Sequence, residues 1–217
     1  MMRRTVTTAG LLSVLALVPQ ALDAQAARPA QQGAAQPAAF TNVWAIDKAH
    51  SEMTFNIRHI VSRVRGTFRE WEGSIAIPNP NHWDQGSSVD VTIKTASIFT
   101  DNERRDAHLR TGDFFLADSF PTITFKSTKI ERDGDKAKIH GNLTIRGVTK
   151  PVVLEGEFLG AQGDQLQRIG FEASTKINRL DYGVAWNRAL EGGGVTLGDE
   201  VTIELSIAAI RRRVAAQ

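Results

Sequence analysis

The sequence predicts an all-β protein, closed into a barrel or folded as a sandwich, with one short helical interruption. Three observations predict it. From Val43 onward, apolar residues recur at every second position in run after run. Turn-forming residues separate these runs, and one stretch near residue 100 breaks the period with the chemistry of a helix start. Strict alternation gives each strand one apolar and one wet face, which is the pattern of antiparallel sheets.

The chain opens with Arg3 and Arg4, an apolar run from about Ala9 to Val18, and the small-residue stretch ending Ala24-Gln25-Ala26. This charged, apolar, small order is that of a cleaved secretory signal peptide, expected over residues 1–26. The apolar run is too short to span a bilayer unaided. Residues 27–41, rich in Ala, Gln and Pro, have too little bulk to pack and are expected to be a disordered spacer. The folded domain is expected over 42–210.

Within it, Met53, Phe55 and Ile57 alternate with Glu52, Thr54, Asn56 and Arg58. Val89, Val91 and Ile93 do the same, as do Ile123 and Phe125, then Ile139 and Leu143. Val152, Leu154 and Phe158 follow, then Ile169 and Phe171, and finally Val201, Ile203, Leu205 and Ile207. Asp133-Gly134 carries the side-chain preference of a type I′ hairpin turn. Thr100-Asp101-Asn102-Glu103 matches a capping box with Thr100 as N-cap, so a short helix through Arg110, ended by Gly112, is expected between two strands. A second helical or irregular piece is expected around Leu180 to Leu190. Arg211, Arg212 and Arg213 open a basic tail, 211–217. The domain is longer than eight short strands need, which favours a roomy barrel with the helix at one end. A membrane-spanning barrel is disfavoured: one tyrosine cannot build two aromatic girdles.

Composition removes several functions. A net charge of +2 over 217 residues gives no field that argues for nucleic acid. There is no cysteine, hence no thiolate chemistry and no thiolate metal site. The five histidines make no H-x-H, H-x-x-x-H or H-E-x-x-H spacing, and no serine sits in a G-x-S-x-G elbow. No catalytic residue, metal or cofactor is expected.

Four stretches together resemble the YceI-like family of lipid- or polyisoprenoid-binding proteins of the bacterial periplasm. They are WAIDKAHSEMTFNIRHIVSRVRGTFREWEGSIAI from Trp44, RDAHLRTGDFFLADSFPTITFKS from Arg105, LTIRGVTKPVVL from Leu143, and INRLDYGV from Ile177 with Gly198-Asp199-Glu200-Val201. The resemblance implies an extended, lipocalin-like antiparallel barrel of eight strands and a periplasmic location. It also implies an apolar tunnel holding a polyisoprenoid or other fatty amphiphile. The expected lining is Phe55, Ile57, Phe68, Val89, Val91, Ile93, Leu109, Phe114, Phe115, Ile123, Phe125, Ile139, Leu143, Leu154 and Phe171, with His50, His59, Arg179 and Asp181 as a candidate polar mouth. Neither nucleic acid nor stable membrane insertion is expected, and a homodimer is allowed. Two alternatives stay open: an enzyme acting on such a lipid, and an interaction protein whose barrel is packed solid.

Overall fold

The computed structural model describes residues 40–163, 166–190 and 195–214. The expected signal peptide and nearly all of the spacer lie outside the described residues. The strands are β1 (Phe40–Ile46), β2 (Glu52–His59), β3 (Ser62–Phe68), β4 (Trp71–Ala76), β5 (Ser88–Lys94), β6 (Ile98–Phe99), β7 (Thr122–Asp133), β8 (Lys136–Ile145), β9 (Val148–Gln162), β10 (Arg168–Asn178) and β11 (Leu197–Arg213). Helix α1 (Glu103–Arg110) lies between β6 and β7.

These strands form eight staves. β1 and β2 lie end to end along one side of β11, with Ile46 opposite Ala209 and Glu52 opposite Ser206. In the same way β3 and β4 run along β2 and β1, and β5 and β6 along β4 and β3. From β5 the ladder passes antiparallel through β7, β8, β9 and β10 to β11. Because β11 also pairs with β1, the sheet closes on itself. At the join between β1 and β2 the Ser51 hydroxyl takes over the missing rung, accepting from the Ala208 N–H at 2.9 Å and donating to its carbonyl at 3.1 Å. The result is an eight-stranded antiparallel barrel; closure pairs the staves on both sides, except that short β6 ladders with β3 alone among the described residues.

Several local expectations shift. The helix is capped by Asn102, whose side chain accepts from Arg105 N–H at 2.9 Å, not by Thr100. Thr100 is instead gripped by Asp106, which accepts from its backbone N–H at 2.9 Å and from its hydroxyl at 2.5 Å. A buried carboxylate one turn further on outcompeted the capping-box glutamate. The hairpin at Gly134 is centred one residue later than expected: Asp133 pairs with Lys136, and Gly134 takes φ +63° at the first central position, where a type II′ turn wants glycine. Arg211, Arg212 and Arg213 do not form a tail outside the barrel, although Arg212 and Arg213 keep exposed side chains. They are the last residues of β11, with Arg213 opposite Phe40 and the Arg211 guanidinium donating to Thr41 O at 2.6 Å and to Asn42 at 2.8 Å. The barrel likewise takes in Phe40 and Thr41 at its other terminus. The piece after β10 is a 3-10 turn, Arg179–Tyr182, followed by irregular chain.

Candidate functional site: an apolar cavity along the barrel

Alternation sends one side chain in two to the barrel interior. On β10 and β11 the inward pairs are Phe171 with Ile207, Ala173 with Leu205, Thr175 with Ile203, and Ile177 with Val201. In a packed barrel such residues would be fully buried. Here Ile203, Leu205 and Ile207 are only partly buried, as are Phe55, Ile57 and Val91. Their free surface faces a cavity of about 390 Å³ running through the interior, within the range of small-molecule pockets.

All the apolar side chains expected to line the tunnel, from Phe55 to Phe171, border this cavity. Of the expected polar mouth, His59 and Arg179 border it, whereas His50 and Asp181 do not. The His50 Nδ1 meets Asp47 Oδ2 at 2.8 Å, and Arg168 meets the same oxygen at 3.1 Å. The hydrogen bond from His50 holds the Asp47 carboxyl below the usual carboxylate range. Asp181 is exposed on the 3-10 turn. The lining also includes Trp71, Trp83, Arg105, His108, Tyr182, Val184, Trp186 and Leu197, which sequence alone did not select.

The α1 end is held by arginines bonded to backbone. Arg179, 4% exposed, donates from Nε to Gly198 O at 2.8 Å and from one terminal nitrogen to Val184 O at 2.6 Å and Trp186 O at 2.9 Å. Its other terminal nitrogen faces Asp199 at 3.4 Å. Burial pulls the guanidinium pKa below its ordinary value, partly offset by Asp199. Arg105 donates to the Thr100 hydroxyl and carbonyl at 2.7 Å each, and Arg146 donates to Phe114 O at 2.5 Å. These contacts fix α1 and the Phe114–Phe115 segment across the barrel end. His108 lines the cavity there; its side chain is 42% exposed and stands edge-on to Phe114 and Trp186 at 5.1 and 5.2 Å. At the opposite end the lining is Ile75, Ile77 and Trp83, all buried, with Trp83 against Phe158 and Phe171.

Tyr182 is 2% exposed and is the chain's one tyrosine. Burial, with a smaller push from Asp181, raises its pKa to about 12. The folded state therefore favours the neutral phenol. Its contribution is intact below the ordinary tyrosine pKa of about 10 and is lost as pH climbs from there through about 12. Phenolate absorbance should rise near pH 12 in the folded protein and near pH 10 in denaturant; a native titration near 10 would place the ring in water.

Among the described residues, no group of three or more His, Asp or Glu side chains is placed to hold a metal ion, and no helix is long and apolar enough to cross a membrane. A closed antiparallel barrel around an apolar, partly open hollow defines the lipocalin-like class of barrels. The chain belongs to the YceI-like domain family, whose model matches residues 44–209. It is 41% identical over 145 residues to the YceI protein of Escherichia coli O157:H7, covering 64% of this chain and 74% of that one. The crystal structure of the Campylobacter jejuni YceI protein superposes with a TM-score of 0.59 at 33% identity, covering 73% of this chain and 90% of the other. A polyisoprenoid binding domain from Saccharophagus degradans shares the fold at a TM-score of 0.58 and 14% identity, covering 77% and 98% of the two chains.

Proposed function

We propose that this protein is a periplasmic carrier that holds a polyisoprenoid or another long-chain amphiphile in the barrel cavity and does no chemistry on it. The observation that carries this reading is the unfilled interior: inward Ile, Leu, Val and Phe side chains keep free surface that faces a hollow and not other side chains. Each methylene moved from water into such a wall is worth about 0.8 kcal/mol, so a long chain is retained without a charged anchor. Two further things support it. The Saccharophagus degradans domain of the same fold is described as polyisoprenoid binding. The first 26 residues have the order of an export signal, and the Ala-, Gln- and Pro-rich stretch 27–39 precedes the first strand of the barrel.

The fifteen apolar residues named above are the ligand contacts in this reading, with His59 and Arg179 near the entrance. Protein stripped with organic solvent, refolded and mixed with donor vesicles containing a long-chain prenyl alcohol should take up one chain per barrel. Failure to take up either the prenyl alcohol or a fatty acid would remove the carrier reading and leave only the architecture.

A further inference from the structure

The wall of the cavity is not uniformly satisfied by itself. At the end remote from α1, Trp83 and Ser87 line the cavity, and Trp83 Nε1 and Ser87 Oγ are buried with no hydrogen-bond partner among the described residues. Trp83 as a residue is only 8% exposed. Thr95 Oγ1 is also buried without a partner among the described residues, but Thr95 does not border the cavity, and His140 Nε2, likewise away from it, faces Glu131 Oε2 at 3.5 Å. The most deeply buried indole behaves differently: Trp44 Nε1 donates to Leu166 O at 2.8 Å. Buried donors are almost always paired, and an indole N–H can only donate. A saturated hydrocarbon offers it nothing, whereas a carbonyl oxygen accepts from the indole and from the serine hydroxyl.

We propose that Trp83 and Ser87 form an acceptor-binding subsite for an oxygen-bearing end of the ligand. The occupant then lies with that end innermost and its hydrocarbon running past Phe125 and Leu205 towards α1. This rests on the carrier reading and adds the chemistry of the ligand and its direction in the tunnel. Competition of methyl heptadecyl ketone and nonadecane against a fluorescent fatty probe tests it, in the wild-type, Trp83→Phe and Ser87→Ala proteins. The readout is the ketone-to-alkane affinity ratio, in which each ligand's own solubility cancels between proteins. The ratio should be about tenfold higher in the wild type than in Trp83→Phe, and several-fold higher than in Ser87→Ala. An equal ratio in all three, with both ligands bound, overturns the subsite and spares the carrier. If neither ligand binds, the carrier reading falls and the subsite with it.

A second inference rests on the β2–β3 hairpin. Its two-residue tip carries Ile60, with φ +52°, and Val61, which is 97% exposed. A β-branched residue at positive φ is strained where Gly or Asn would not be. On the flanking strands Arg58 stands directly opposite Arg63, a like-charge pairing that destabilises a free sheet. Neither forms an ion pair with a described residue, and neither does the exposed Arg188. Ile60 N–H donates to Thr196 O, which brings the half-exposed Val195 and Arg188 beside the tip.

We infer that this hairpin docks on an anionic lipid bilayer, Val61 entering the headgroup layer between the arginines. The attraction is local, since the net charge of +2 is small. In sedimentation with phosphatidylglycerol–phosphatidylcholine vesicles the wild type should associate at least tenfold more than Val61→Asp or Arg63→Ser, and none should associate with pure phosphatidylcholine. Neither residue borders the cavity, so affinity for a detergent-delivered fatty probe should be unchanged in both variants. Equal vesicle association by wild type and variants overturns the inference. So does a shift of the wild type from dimer to monomer in these variants, which would assign the tip to a second copy of the chain.

Discussion

Replacing Ala173 by Trp should abolish long-chain binding while leaving the barrel folded. Ala173 points from β10 into the cavity, between Leu205 on β11 and Gly156 on β9. An indole there extends into space now empty, so it meets little of the overpacking penalty of about 1–3 kcal/mol that a filled core imposes. A tunnel shortened by about five methylenes loses about 4 kcal/mol of transfer energy at about 0.8 kcal/mol each, roughly a thousandfold in affinity. Thermal unfolding and competition with a fluorescent fatty probe measure the two halves separately. A solid barrel predicts the reverse: severe destabilisation and no binding to lose.

Replacing Arg179 by Ala should cost about 3–5 kcal/mol of folding stability, because several buried carbonyls lose a charged donor at about 1–3 kcal/mol each. Its guanidinium satisfies the carbonyls of Gly198, Val184 and Trp186 at once, and these sit in the chain that closes the α1 end. With the fork gone, three carbonyls lose their donor and the wall formed by Tyr182, Val184 and Trp186 loosens. Arg179→Lys should recover only part of the loss, because an ammonium cannot reproduce the planar fork. Denaturant titration gives the number; a loss below about 1 kcal/mol would mean that water replaces the network without cost. This is a different role from the ligand-facing one expected of Arg179 at the mouth, since its donors are spent on backbone.

The inward face of the barrel was legible where every second residue is a large apolar one, as on β2, β5, the start of β7 and most of β11. The stave made of β3 and β4 was not. Its inward phase reads Val64, Gly66, Phe68, then Trp71, Gly73 and Ile75, and two glycines erase the alternation. They are there because the Phe55 ring lies over Gly66 and the Ile46 side chain over Gly73, where a Cβ would meet it at 2.7 Å. Such cross-strand covering has no signature along the chain. Trp83 was missed for a related reason, since the Pro- and Asn-rich segment before it marks a break and says nothing about which later residue turns back into the cavity. The arginine bonds at the α1 end reach carbonyls across the fold and follow no sequence spacing. The terminal arginines misled because a charge cluster looks like a free tail until a partner strand, here β1, is known to run beside it.

Native mass spectrometry of the protein as purified, followed by organic extraction, tests most directly whether the interior holds a greasy chain. A bound species should add to the mass of the barrel, leave on extraction as a long-chain amphiphile, and be missing from Ala173→Trp. A mass equal to the bare polypeptide, in protein that then takes up neither a prenyl nor a fatty chain, would contradict it.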